Sequence, residues 1–78
     1  MEKLFKELAW KCHKNKLDFR VHQIVRDDTL ILEVLTFDED FYPIHISKGY
    51  TAGWHTEFES PIAALERMHR EVDEFINE

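Results

Sequence analysis

The chain has 78 residues, 44% of them hydrophobic and 33% charged, with a net charge of −6. That length suits one domain spanning 1–78, and the apolar share is too high for intrinsic disorder. The acidity argues against nonspecific nucleic-acid binding by the whole surface, and no apolar run approaches the ~20 residues of a membrane-spanning helix.

The single cysteine, Cys12, allows no intrachain disulfide, which fits a reducing, cytoplasmic setting. The opening Met1-Glu2-Lys3-Leu4-Phe5-Lys6 carries charge where a signal peptide would be apolar.

Residues 2–16 read as an amphipathic helix, with Leu4, Phe5, Leu8, Ala9 and Cys12 on one side and Asn15 as a stop. Residues 1–20 carry +3 and residues 21–78 carry −9, so a basic helix precedes an acidic body. Trp10 falls nearly opposite the apolar stripe, close to Lys3, Lys6 and His13. Trp is enriched at binding hot spots, so Trp10 is a candidate contact with a partner or within a homodimer.

Residues 17–26 alternate, with Leu17, Phe19, Val21 and Val25 on the buried side of a half-buried strand. Asp27-Asp28 makes a turn. Residues 29–37 are apolar on both faces and β-branched, as a central strand should be. Asp38-Glu39-Asp40 makes the next turn, and residues 41–47 form a third strand in which Tyr42, Ile44 and Ile46 point one way. Pro43 lacks an N–H and marks an edge or a strand start. Residues 48–53 hold both glycines and read as a loop; residues 54–58 alternate as a candidate fourth strand. Ser60-Pro61 is an N-cap followed by a favoured first helical residue. The helix it opens should run to the chain end, with Ile62, Leu65, His69, Val72 and Ile76 in one stripe.

The expected fold class is therefore α+β: a helix, a three-stranded antiparallel meander with a candidate fourth strand, and a helix, both helices packing on the sheet. Leu4, Leu8, Phe19, Val21, Leu32, Val34, Ile44, Ile46, Leu65, Val72 and Ile76 should be buried.

Motifs for chemistry are sparse. The five histidines show neither the i, i+4 spacing of a helical zinc pair nor a CxxC partner, so no metal and no cofactor is expected. His69, within an apolar stripe, reads as a core-edge histidine with a satisfied nitrogen. Cys12 lies in an apolar stripe, where a thiol behaves as a small hydrophobe. No nucleophile elbow, phosphate loop or dinucleotide fingerprint is present, and the expectation is that the chain is not an enzyme. What remains is an aromatic and acidic stretch from Phe37 to Phe58. Tyr42, Tyr50 and Trp54 beside Asp38, Glu39, Asp40 and Glu57 suit a protein partner with a basic surface, combining aromatic anchors with electrostatic steering.

The helix–strand–strand–strand–helix order resembles that of double-stranded RNA-binding domains. Those begin their last helix with lysines, and this chain has Ser60-Pro61-Ile62-Ala63-Ala64-Leu65-Glu66 there, so their activity is not carried over. In size, charge and architecture the chain is similar to small acidic phage-encoded inhibitors, including some anti-CRISPR proteins. That resemblance implies a non-catalytic phage or mobile-element protein that occupies a basic surface of a larger protein. The alternatives are a nucleic-acid-binding domain using the basic first helix, and a small enzyme or metal-dependent accessory domain.

Overall fold

The computed structural model describes residues 2–52 and 59–78. The chain runs through α1 (Glu2–Lys14), β1 (Asp18–Ile24), a 3-10 turn (Val25–Asp27), β2 (Thr29–Phe37), β3 (Pro43–Ala52) and α2 (Pro61–Ile76). The strands form one antiparallel sheet in the order β1-β2-β3, and α1 and α2 contact it. The α+β meander flanked by helices is thus the observed architecture. The expected fourth strand, 54–58, lies outside the described residues.

Each helix is punctuated as its sequence requires. At the end of α1, Leu17 N–H bonds Cys12 O at 2.8 Å and Lys16 N–H bonds His13 O at 3.3 Å. Lys16 takes the left-handed conformation (φ 58) that this type of C-cap needs. The Asn15 side chain bonds Lys11 O at 2.8 Å, so the helix stops where the sequence places a stop. At α2, Ser60 Oγ accepts from Ala63 N–H at 3.2 Å, with Pro61 in the first turn.

The core joins Leu8 and Cys12 of α1 and Leu65, Met68 and Val72 of α2 to Leu32 and Val34 of β2, with Leu17 beside them. Both helices therefore lie on the face of the sheet that carries Leu32 and Val34. Leu4, Phe19 and Ile46 pack partly buried against this cluster. Three expected core residues are instead exposed: Val21 at 41%, Ile44 at 45% and Ile76 at 36%. Val21 sits on an edge strand, Ile44 near the start of β3, and Ile76 at the last residue of α2. Apolar alternation marks a face, but not how far along an element the cover extends.

Two strand boundaries also differ from expectation. The first strand ends at Ile24, and Val25, placed with the buried side by alternation, is 80% exposed in the 3-10 turn. Residues 48–52, expected as loop, continue β3. Gly49 is there for packing rather than turning: a Cβ at that position would come 3.2 Å from Met68 Sδ and 3.3 Å from Ala64 Cβ. Glycine lets α2 approach the sheet closely. A register shift between Val34 and Leu35 leaves Ile46 as an extra residue on β3.

Candidate functional site

Strand alternation and the pairing register place Asp18, Arg20, His22 and Ile24 of β1, Ile31, Glu33, Leu35 and Phe37 of β2, and Lys48 and Tyr50 of β3 on the face away from the helices. Its centre is a polar cluster. Glu33, with a side chain only 15% exposed, lies 3.3 Å from Lys48 Nζ, 3.3 Å from His22 Nε2 and 3.9 Å from His45 Nε2. Burial would raise the Glu33 carboxyl, but hydrogen bonds from Lys48 and His22 outweigh it and hold the group below its usual value. Lys48 Nζ also sits 5.1 Å over the Tyr50 ring, and Arg20 lies 5.9 Å from the centre of the Phe37 ring. Leu35 is 2% exposed yet stands apart from the main core.

Among the described residues, the hairpin joining β2 to β3 is the most exposed aromatic feature. Asp38 organises it: Oδ1 accepts from the N–H groups of Asp40 and Tyr42, both at 2.9 Å. The backbone closes with Phe41 N–H to Asp38 O and Asp38 N–H to Tyr42 O, each 3.0 Å. Within this frame Phe41 is left-handed (φ 65), a conformation a bulky residue rarely adopts. Phe41 is 84% exposed and Tyr42 67% exposed. The two rings face water beside the acids of the turn and take no part in the monomer core.

The residues singled out in the sequence therefore fall into separate places. Asp38, Glu39, Asp40 and Tyr42 form the hairpin together. Tyr50, 44% exposed, belongs to the same strand but sits seven residues from Pro43, roughly 23 Å along β3, and flanks the Glu33 cluster instead. Trp54 and Glu57 lie outside the described residues. Trp10 is 63% exposed and stacks on His13 at 5.5 Å, on the side of α1 away from the core. Phe41 was not singled out, although it lies between two residues that were; its left-handed backbone depends on the Asp38 bonds, which composition does not show. The Glu33 cluster was missed because it is made by strand register. Its signals were a lone acid inside an apolar strand and His22 on the polar side of β1.

Other groups that bear chemistry are occupied. Cys12 is 1% exposed, and burial pushes its thiol up to about 11 despite the opposing charge of Lys11. His69 bridges the helices: Lys11 Nζ donates to Nδ1 at 2.9 Å and Nε2 donates to Leu4 O at 2.9 Å. Arg67 ties Glu59 (Nε to both carboxylate oxygens at 3.0 Å), Glu71 and Lys48 O (2.8 Å) into one clamp. Among the described residues, no group of three or more His, Cys, Asp or Glu is arranged to hold a metal ion. No described helix is long and apolar enough to cross a membrane. The chain matches no protein-family model, no curated protein and no solved structure at a significant level.

Proposed function

We propose that this chain is a non-catalytic protein-binding domain that docks by the Asp38–Tyr42 hairpin onto a partner offering an apolar pocket within a basic surface. The observation that carries this reading is the display of Phe41 and Tyr42, 84% and 67% exposed, on a turn whose backbone Asp38 fixes. Rigid aromatic side chains supply contact area at low entropic cost. Asp38, Glu39 and Asp40 beside them would steer a basic surface toward the rings. The likeness in size, charge and element order to small acidic phage-encoded inhibitors, read from the sequence alone, is the ground for proposing an action by occupying the partner's surface. Against the helix-1 nucleic-acid reading, Lys11 is engaged by Asp73 at 2.8 Å across the helices; the exposed Lys3–Glu7 and Lys6–Glu2 pairs count for little.

The test is kinetic. Against a partner recovered from the expressing cells, Phe41→Ala and Tyr42→Ala are expected to speed dissociation by a factor of ten or more, equivalent to ~1.4 kcal/mol or more. Glu39→Gln with Asp40→Asn should slow association and reduce its salt dependence, with little effect on dissociation. Unchanged rates in all of these variants would remove the hairpin from the interface.

A further inference from the structure

We propose that the groove between β3 and the C-terminal half of α2 seats a basic segment of the protein partner, with an aliphatic side chain on its floor and lysine or arginine on its rim. The proposal deepens the docking reading above and rests on it for the existence of a partner, but it uses none of the hairpin's side chains. The groove is open and about 260 Å³ in volume, with Ile44 and Ile46 of β3 and Phe75 of α2 as its apolar lining and Glu71, Glu74 and Glu78 along one side. Alternation puts Ile44 on the helix-facing side of the sheet, yet it is 45% exposed, and Phe75 is 38% exposed. The buried core stops short of them, at Val72 with Ile46 packed partly against it.

Charge selects the occupant. The C-terminal end of a helix carries the negative end of its dipole, where cations are favourable and acids are not. α2 has no basic residue in its last turn. Asp73 there turns to Lys11 of α1 at 2.8 Å, and Glu71 is held by Arg67. Among the described residues, no cation pairs with Glu74 or Glu78, and Arg70, four positions before Glu74, forms no ion pair with it. Glu78 stays beside the groove because its N–H bonds Phe75 O at 3.3 Å. His45, the remaining polar group of the lining, lies 3.9 Å from Glu33 on the opposite face of the sheet.

The groove thus joins an uncovered apolar floor to carboxylates that nothing in the described chain neutralises. Apolar patches rimmed by polar groups mark interaction sites, and a rim of acids at the negative end of a helix is complementary to a cationic ligand rather than a neutral or anionic one. A short peptide segment has the matching length. Glu71, Glu74 and Glu78 follow at i, i+3 and i+7 and so span roughly 10 Å along α2, about three residues of extended chain. Ile44 follows Tyr42 by two positions, so the groove begins where the hairpin ends.

The probe is a synthetic peptide of one leucine flanked on each side by two lysines, titrated into the full chain and followed through its backbone amide NMR signals. At millimolar peptide the signals of Ile44, Ile46, Glu74 and Phe75 should shift, and added salt should weaken the binding. Serine in place of the peptide's leucine, or Glu74→Lys with Glu78→Lys in the chain, should lower the affinity at least about fivefold. The reversed charges complement the helix dipole, so that variant should melt no lower than the original chain, and its lost affinity is not a lost fold. Phe41→Ala should leave peptide binding unchanged; the hairpin reading is tested separately, by dissociation from the partner, so either can fail without the other. Five results would each overturn the proposal: no shifts at millimolar peptide; equal binding of the serine peptide; shifts spread evenly over the acidic surface; an affinity unchanged by the charge reversal; or the same shifts on raising protein concentration alone, which would make a second copy the occupant.

Discussion

At the scale of single residues, Phe41 carries a conflict between stability and display. A non-glycine residue in the left-handed region costs about 1–2 kcal/mol, and a ring 84% exposed returns little of it through burial. Phe41→Gly should therefore stabilise the isolated fold by up to about 1 kcal/mol in urea titration, although it removes the proposed anchor. A loss of stability instead would mean that the ring packs against the domain. Asp38 is the opposite case. Its carboxylate accepts two backbone N–H groups, so Asp38→Ala should cost about 1 kcal/mol, while Asp38→Asn, which keeps an acceptor, should cost less. The sequence reads Asp38, Glu39 and Asp40 together as a turn, and the structure sets Asp38 apart from the other two. An Asp in a turn signals such bonds only in kind, and which N–H groups it reaches depends on the closed loop.

At the scale of elements, periodicity located both helices and all three strands, because each buries one face against another element and repeats apolar residues at its own period. What it missed came from contacts between elements. Gly49 was read as a turn residue because glycine has two uses, and only the approach of Ala64 and Met68 shows which applies. Gly49→Ala should cost about 1–3 kcal/mol through overpacking, with no change at the hairpin. Leu32, 2% exposed at the centre of β2, should lose about 2–5 kcal/mol on Leu32→Ala; a change within ~0.5 kcal/mol would place the strand outside the core. The Glu33 cluster was illegible for the same reason as Gly49. His22 and Glu33 are eleven positions apart, and Lys48 is fifteen beyond, so they meet only once β1, β2 and β3 are in register.

At the scale of the molecule, the charge asymmetry read from the sequence is partly resolved by pairing across elements, as where Lys11 of α1 meets Asp73 of α2. Two carboxylates hold together parts distant in sequence: Glu33 through Lys48 and His22, and Glu59 through Arg67. The Glu59 carboxyl is lowered by its Arg67 hydrogen bond, against burial, and Glu33 is lowered as well. A carboxyl depressed in the folded state contributes stability above its unfolded-state value and loses it as pH falls through the folded value. Stability should therefore decline below about pH 4, and Glu33→Gln or Glu59→Gln should flatten that decline while lowering stability at neutral pH. An acid limb unchanged in both variants would show that neither pair matters to folding.

Docking through the hairpin is tested most directly by a photo-cross-linking amino acid placed at Phe41, with a parallel probe at exposed Glu66 of α2. The Phe41 probe should capture a partner with a basic surface, the Glu66 probe should not, and Tyr42→Ala should lower the purified partner's affinity at least tenfold in a chain that remains folded. Capture of the same partner equally from both positions, or an affinity unchanged by Tyr42→Ala, would contradict it.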